Sequence, residues 1–377
     1  MNTFYEFFAG GGMAHAGLGE EWKCLFANDF CEKKAASYRK NWGDDHLVVG
    51  DIAKVKANQV EGQADLAWAS FPCQDLSLAG NGVGLDGDRS GTFWAFHKLM
   101  KQLDKDGRKP HMIALENVYG AVTSHGGKDF EAIIKSLVSV GYRAGGMIID
   151  AVHFVPQSRP RLFIVAVDAK LTVPSELCAE TATPAWQPAA IVKAYNRLPK
   201  KLKDQWIWWA PPAPDTTPGT LDQLIEHEPQ GVTWHTPEET AKLLEMMSEV
   251  NAQKVELAKQ AGRLKVGTIY RRTREGRQRA EVRFDGISGC LRTPSGGSSR
   301  QTIIVVEGEK VRSRLLSPRE AARLMGLSDN YVLPERYNDA YHLAGDGVAV
   351  PVVAHLARHI FEPLIESYRR LQLVKVA

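Results

Sequence analysis

A series of short segments carries residue types that chemistry needs. Phe8-Ala9-Gly10-Gly11-Gly12 follows an apolar run, and its glycines let the backbone turn sharply and approach a ligand with no Cβ in the way. A purely structural turn would use them equally. Asn28-Asp29 and Gly50-Asp51-Ile52 close two further runs. Carboxylates there can accept from ribose hydroxyls or an adenine amino group, or simply N-cap the helices that follow. Ser70-Phe71-Pro72-Cys73-Gln74 offers a cysteine beside a proline that restricts the backbone. That is a nucleophile if it sits on a loop at a ligand edge, and a small buried hydrophobe otherwise. Glu116-Asn117-Val118 supplies a candidate acid or base, or a surface ion-pair residue. Gln157-Ser158-Arg159-Pro160-Arg161 presents two arginines suited to anion or carbonyl contacts, or a solvated turn.

These segments need elements to hold them. Strands are expected at Thr3–Phe8, Cys24–Asn28, Leu47–Val49, Ala64–Ser70, Met112–Leu115 and Phe163–Val167, each short, apolar and bounded by Gly, Asp, Asn or Pro. Helical patterns fall between them at Glu32–Asn41, Gly91–Leu103 and Phe130–Val140. Such alternation predicts an α/β fold, a mostly parallel sheet with helices on both faces, and sets the motifs at strand ends, with Gln157–Arg161 just before the strand at Phe163. Near residue 170 the texture changes to a proline- and tryptophan-rich stretch with Trp186, Trp206, Trp208 and Trp209, read as the core of an inserted module. A helix is expected over Pro237–Gly262, then a basic stretch from Arg263 to Arg283. Ser317-Pro318-Arg319-Glu320 has the start signals of a helix that Gly326 ends. The expected division is 1–170, 171–311 and 312–377, the last returning to the first.

Length and composition bound the answer. The 377 residues, 44% hydrophobic and 24% charged, exclude wholesale disorder and collagen-like repetition. No apolar run reaches the ~18 residues of a spanning helix, and no secretory signal is expected at Met1–Glu6. Five scattered cysteines, Cys24, Cys31, Cys73, Cys178 and Cys290, without a C-x-x-C pair speak against a disulfide framework or a zinc site and for a reducing compartment. The net charge of +3 alone does not suggest a nucleic-acid partner; its distribution matters more, and a basic run taken by itself reads first as a solvated charged face.

Taken in order, the motifs resemble those of DNA (cytosine-5)-methyltransferases of the bacterial restriction–modification type. Phe8-Ala9-Gly10-x-Gly12 resembles the first cofactor motif, Pro72-Cys73-Gln74 the nucleophile motif, Glu116-Asn117-Val118 the third signature, and Gln157-x-Arg159-x-Arg161 the paired-arginine motif. Ser317–Gly326 and Gly345-Asp346-Gly347-Val348-Ala349-Val350-Pro351 resemble the last two. The similarity runs from about residue 3 to 354 and spares only the middle. Three departures stand out: Glu6 for the family's usual Asp, Asp346-Gly347 for Asn-Ser, and an unusual order around Arg89, which leaves Arg89 outside the expected site.

The resemblance implies a Rossmann-like S-adenosylmethionine-dependent methyltransferase sheet with a smaller inserted target-recognition domain. It implies Cys73 as the thiolate that adds to ring carbon 6 of cytosine, Glu116 at ring nitrogen 3, Arg161 at the ring carbonyl, and Arg159 steadying the loop or a phosphate. Phe8, Gly10, Gly12, Asp29, Asp51, Ile52, Pro72, Phe93 and Val348 match the positions lining the pocket for S-adenosylmethionine; no metal is required. The partner implied is double-stranded DNA, with the target base flipped out of the stack. Arg271, Arg272, Arg274, Arg292, Ser298 and Arg300 are the expected DNA contacts. A monomer of the bacterial cytoplasm is expected, with any cognate restriction endonuclease acting separately and no membrane. The alternatives are a tRNA cytosine-5 methyltransferase, which the long middle module counts against, and a nucleotide-binding oxidoreductase, which leaves the cysteine, glutamate and arginines unexplained.

Overall fold

Short runs of β-branched, aromatic and small apolar residues form a seven-stranded sheet: β1 (Asn2–Phe7), β2 (Trp22–Asp29), β3 (Leu47–Val49), β4 (Leu66–Ala69), β5 (Met112–Val118), β6 (Tyr142–Asp150) and β7 (Pro160–Asp168). Their order is β3-β2-β1-β4-β5-β7-β6. The strands from β3 to β5 run parallel, and β7 enters antiparallel between β5 and β6. In this computed structural model residues 1–72, 91–215, 218–274, 276–293 and 300–376 are described.

Alternation along each strand puts one set of side chains on each face. Tyr5, Phe7, Ala67 and Ala69 face one core, which takes Phe93, Phe96 and Leu99 from helix Thr92–Lys105 and Ile133, Ile134 and Leu137 from helix Lys128–Ser139. The intervening Phe4 and Trp68 face the other way, where Phe4 meets Trp22, and both tryptophans pack edge-on against Phe361. The parallel-rich α/β sheet with helices on both faces is therefore as expected. The helical stretch from Tyr337 to Leu373 is long and apolar enough for a membrane by composition, but 61% of its most apolar window is buried within the protein.

The chain divides into two compact units, and the cuts lie elsewhere than at 171 and 311. One unit joins Met1–Asp150, Pro160–Asp215 and Val350–Ala377; the other joins Ala151–Arg159 and Thr216–Ala349. The tryptophan-rich stretch up to 215 belongs with the seven-stranded sheet, not with an inserted module, which corrects the expectation for that cluster. Its two-stranded sheet, β8 (Cys178–Ala179) and β9 (Trp208–Trp209), packs beside β6. The Ala144 amide donates to Gln205 and the Ile207 amide to Ala144, both at 3.0 Å, while the Trp209 indole donates to the Val165 carbonyl at 3.0 Å. Gly145 is what permits this approach: a Cβ there would stand 1.8 Å from the Ile207 carbonyl oxygen.

The second unit is built on an antiparallel sheet of β10 (Lys265–Arg274), β11 (Arg277–Arg283), β12 (Thr302–Glu307) and β13 (Lys310–Leu315), ordered β11-β10-β12-β13. Ile269, Ala280, Val282, Ile304 and Val306 make its core with Leu243, Met247 and Val255. The expected single helix over Pro237–Gly262 is two, Pro237–Glu245 and Glu249–Lys259, because Met247 forms a bridge to Ala280 and Ser248 restarts the chain as an N-cap. Helix Pro318–Leu324 begins as expected: Ser317 Oγ accepts from the Glu320 amide at 3.1 Å, and Glu320 accepts from the Ser317 amide at 2.7 Å. The Glu320 carboxylate is fully buried and is gripped by both terminal nitrogens of Arg314, at 2.8 and 2.6 Å. A forked, charge-assisted pair of this kind is what makes such a burial tolerable.

Gly145→Ala should destabilise the first unit by about 2–4 kcal/mol, because backbone rather than a flexible side chain must yield. Urea unfolding monitored by tryptophan fluorescence checks this, and a change under about 1 kcal/mol would remove Gly145 from its role.

Candidate active site

The loop after β1 departs furthest from ordinary backbone geometry. Phe8 has φ 57°, with Gly10 at 58° and Gly12 at 76°. Glycine adopts this region freely, but a bulky aromatic residue there costs about 1–3 kcal/mol, so its surroundings must hold it. Asp29, at the end of β2, accepts from the Gly10 and Cys31 amides, both at 2.7 Å. The Trp42 indole donates to the Gly11 carbonyl at 3.0 Å. A Cβ on Gly12 would lie 2.2 Å from that indole nitrogen and 3.0 Å from the Tyr38 ring. Glu6 is buried on β1, where its Oε1 accepts from the His15 amide at 3.3 Å and burial pushes its carboxyl up to about 8. The result is a braced backbone cradle with a carboxylate at its side, the arrangement that a nucleoside-bearing cofactor requires.

Beyond β3, Asp51 Oδ1 accepts from the Ala53 amide at 2.9 Å and so caps the turn Ile52–Lys54, while Ile52 is buried in the core. Of the two aspartates only Asp51 acts as a cap; Asp29 ties down the glycine loop instead, and the helix after it has Cys31 at its N-cap. Each carboxylate oxygen keeps a further lone pair for a ligand. Phe93 is buried against Phe71, their rings 5.1 Å apart, just before the partly exposed Pro72. Cys73 follows Pro72 and lies outside the described residues, as does Ser298.

The strands β5 and β7 bring two of the candidates together. Their antiparallel register sets Val118 opposite Arg161 and Glu116 opposite Phe163, so Glu116 and Arg161 are diagonal neighbours on one face. Arg161 Nε stands 3.2 Å from Glu116 Oε1, with both side chains largely buried. Asn117, between them in sequence, donates from Nδ2 to the Phe71 carbonyl at 3.3 Å. It thereby ties the end of β5 to the chain leading into Cys73.

The family model for C-5 cytosine-specific DNA methylase matches residues 2–362. The chain belongs to that family. The Type II methyltransferase M.HpaII of Haemophilus parainfluenzae is 27% identical over 97% of this chain and 91% of its own length. The Type II methyltransferase M.BsuFI of Bacillus subtilis is 25% identical over 96% of this chain and 73% of its own length. Among solved structures, S. pombe Dnmt2 methyltransferase matches with a TM-score of 0.58 at 18% identity, covering 97% of this chain and 99% of that one. The Entamoeba histolytica methyltransferase EhMeth matches with a TM-score of 0.61 at 15% identity, covering 97% and 99%. These two likenesses show the fold. The chain is a DNA (cytosine-5)-methyltransferase whose chemistry depends on S-adenosylmethionine, and its reaction is the sequence-specific methylation of DNA.

The remaining expected residues of the methylase lie in the second unit. Arg159 is buried there, with its guanidinium donating to the carbonyls of Leu291 at 3.1 Å, Gly345 at 2.9 Å and Gly347 at 2.7 Å, and to Cys290 Sγ at 3.3 Å. It clamps two chain segments. Asp346, one of the departures from the family motif, accepts a hydrogen bond from Thr293, while Gly347 offers its carbonyl to Arg159. Val348 is buried. Arg271 lies on the same face of the hairpin as Ile269 and Ala280, whereas Arg272 and Arg279 pair directly on the other face; further on, the backbone of residue 274 is in register with that of 277. Arg272 Nε stands 3.3 Å from Glu281. Arg292 is exposed, and Arg300 is turned onto Asn338 at 2.7 Å and the Tyr337 ring.

Three residues escaped the sequence reading. Asn117 and Trp42 have their partners 46 and 31 residues away, which no local pattern reveals. Phe30 had a usable signal, an aromatic directly after the strand-ending Asp29, and it is left 78% exposed.

The two arginines should therefore respond differently to the same change. Arg159→Lys, which loses the fork across three carbonyls, should lower stability by about 2–4 kcal/mol in urea unfolding. Arg161→Lys keeps a cation beside Glu116 and should change stability by less than about 1 kcal/mol while lowering methyl transfer; equal stability losses would contradict these assignments.

Proposed function

We propose that this methylase works by covalent addition of Cys73 to a cytosine flipped out of duplex DNA, with Glu116 and Arg161 handling the ring. The observation that carries the reading is the Glu116–Arg161 pair at the end of β5, joined through Asn117 to the chain that leads into Cys73. Carbon 5 of cytosine is a poor nucleophile. Thiolate addition at carbon 6 makes the ring an enamine, whose carbon 5 can take a methyl group. Glu116 contacts or protonates ring nitrogen 3 and draws off the charge that addition pushes into the ring. Arg161 holds the ring carbonyl oxygen with its planar donors. Loss of the carbon 5 proton and departure of the thiol complete the turnover. Arg159 acts as a positioning residue through the segments it clamps.

S-adenosylmethionine, when bound, supplies a methyl group carried on a sulfonium. The strained loop of Phe8, Gly10 and Gly12 fits its close approach, Asp29 its ribose hydroxyls and Asp51 its adenine amino group. Ile52, Pro72 and Phe93 supply apolar walls, and the exposed Phe30 a ring face for adenine. Val348 enters the set by its motif alone.

Grip on DNA is assigned to the second unit, and above all to the β10–β11 hairpin. Arginines set directly opposite one another repel in the folded protein. A phosphate backbone relieves that repulsion, and Arg271, Arg274, Arg292, Ser298 and Arg300 extend the same basic neighbourhood by sequence. The same reading has the enzyme act as a monomer in the bacterial cytoplasm, separately from any cognate restriction endonuclease.

Purified protein should transfer labelled methyl to double-stranded DNA as 5-methylcytosine, and Cys73→Ser should abolish transfer while sparing donor binding. Glu116→Gln should slow turnover by about 10²–10⁴-fold. Retained turnover in the serine variant would sink the covalent mechanism. Bisulfite sequencing of DNA from expressing cells then reads out the target sequence. Replacing Arg272 and Arg279 with alanine should lower the slope of log affinity against log salt by about 0.9 for each phosphate that is no longer neutralised; an unchanged slope would move the DNA surface elsewhere.

A further inference from the structure

Behind the cofactor loop lies a group of side chains that methyl transfer does not use. His15 comes from helix Met13–Leu18, Cys24 from β2, Tyr38 from helix Glu32–Trp42, and His46 from the turn before β3. The Tyr38 hydroxyl is their hub: it lies 3.1 Å from His15 Nδ1, 3.0 Å from His46 Nε2 and 3.7 Å from Cys24 Sγ. The ligand-capable atoms of His15, Cys24 and His46 all lie within 4.8 Å of one another. Donors around a tetrahedral zinc ion, at bond lengths of about 2.0–2.3 Å, stand roughly 3.3–3.7 Å apart, so small side-chain rotations would close the set.

The surroundings favour a positive charge. Glu6 is 1% exposed, and its Oε2 accepts no hydrogen bond. Its other oxygen, Oε1, accepts from the His15 amide at 3.3 Å, which sets the carboxyl beside the cluster. A buried carboxyl with an unsatisfied oxygen beside a thiol, a phenol and two imidazoles is a set of groups that a cation would satisfy together. His15 and His46 are only half-buried, which leaves an approach from solvent, while Cys24 closes the inner side.

We propose that His15, Cys24 and His46, with the Tyr38 hydroxyl as fourth donor, bind a zinc-class transition-metal ion. Two imidazoles, one sulfur and one oxygen suit a borderline-soft ion and not magnesium or calcium. Coordination forms a metal–sulfur bond and releases the Cys24 proton to solvent. The site is separate from the reacting groups but mechanically joined to the donor loop. His15 stacks on Trp42 with ring centroids 4.1 Å apart, and the Trp42 indole holds the Gly11 carbonyl. An ion that fixes the His15 ring therefore fixes the indole and, through it, the loop. The ligands are scattered in sequence and share no metal-binding spacing, which is why the lack of a C-x-x-C pair says nothing about this site.

The test uses the full chain, stripped with a chelator and titrated with Co²⁺. One equivalent should produce a thiolate-to-cobalt charge-transfer band and the strong visible bands of tetrahedral cobalt, and Zn²⁺ should bleach them. Cys24→Ser should remove the charge-transfer band, whereas Cys31→Ser and Cys73→Ser should keep it. His46→Ala, at a half-buried position, gives a second test that leaves the core thiol in place, and it should weaken cobalt binding by about tenfold or more. Absence of the bands at one equivalent, their survival in Cys24→Ser, or unchanged affinity in His46→Ala would overturn the proposal.

Discussion

The reversal of one strand governs the meeting of Glu116 and Arg161. Because β7 runs antiparallel to β5, its first residues lie beside the last residues of β5, and Arg161 arrives opposite Val118. A parallel β7 of the same length would start at the other edge of the sheet, roughly 20 Å away at ~3.3 Å per residue. Arg161 could not then meet Glu116. The same reversal makes β6 and β7 a pair whose connection, residues 151–159, counts with the second unit. That connection carries Gln157, which donates to the Leu324 carbonyl at 2.8 Å and accepts from the Leu291 amide at 3.0 Å, and the Arg159 clamp. One topological choice thus supplies the Glu–Arg pair and the connection whose Gln157 and Arg159 bind within the second unit.

Around this frame, the methylase accepts local penalties at several points. Phe8 holds a left-handed backbone that an aromatic residue avoids elsewhere, and a carboxylate, an indole and a crowded glycine keep it so. Glu6 is buried to brace the helix that follows, at the expense of its own solvation. Arginines face arginines across the β10–β11 hairpin. None of these would be chosen for stability alone, and each stands at a place assigned to cofactor or nucleic acid. The buried Arg314–Glu320 pair is the contrast: equally charged, its carboxylate met by a forked pair of hydrogen bonds and a backbone amide, and a helix start.

How much of this was legible in the sequence depended on the distance over which each feature is decided. Strands β1 to β5 and β7 announced themselves because apolar runs and bounding turn residues are local signals. β6 did not, because Gly145 and Gly146 interrupt its pattern; Gly145 is there to admit the Ile207 backbone, a contact between segments roughly 60 residues apart. The tryptophans from 186 to 209 showed their burial but not their partner, so they were assigned to the wrong unit. The helix break at Met247 follows from a bridge to Ala280, again a tertiary cause. Glu116 and Arg161 come together because the end of β5 and the start of the antiparallel β7 share one side of the sheet, a pairing set by strand direction and not by either motif.

The charge pattern of the β10–β11 hairpin is harder to read than the strand ends for the same reason. Glu116 and the glycine loop are fixed by their distance from a strand end, a matter of a few residues. The arginine ladder depends on register: moving β11 by one residue against β10 would send Arg279 to the face of Ile269 and Val282, and Ala280 out of the core. The buried Ala280 and Val282 therefore select the face on which the arginines accumulate, and the exposed charge pattern is a consequence of the core pattern. A net charge of +3 averages over both faces and over the acidic residues elsewhere, which is why it carries no trace of a partner. Charge becomes informative only after packing has decided which side of the sheet it occupies.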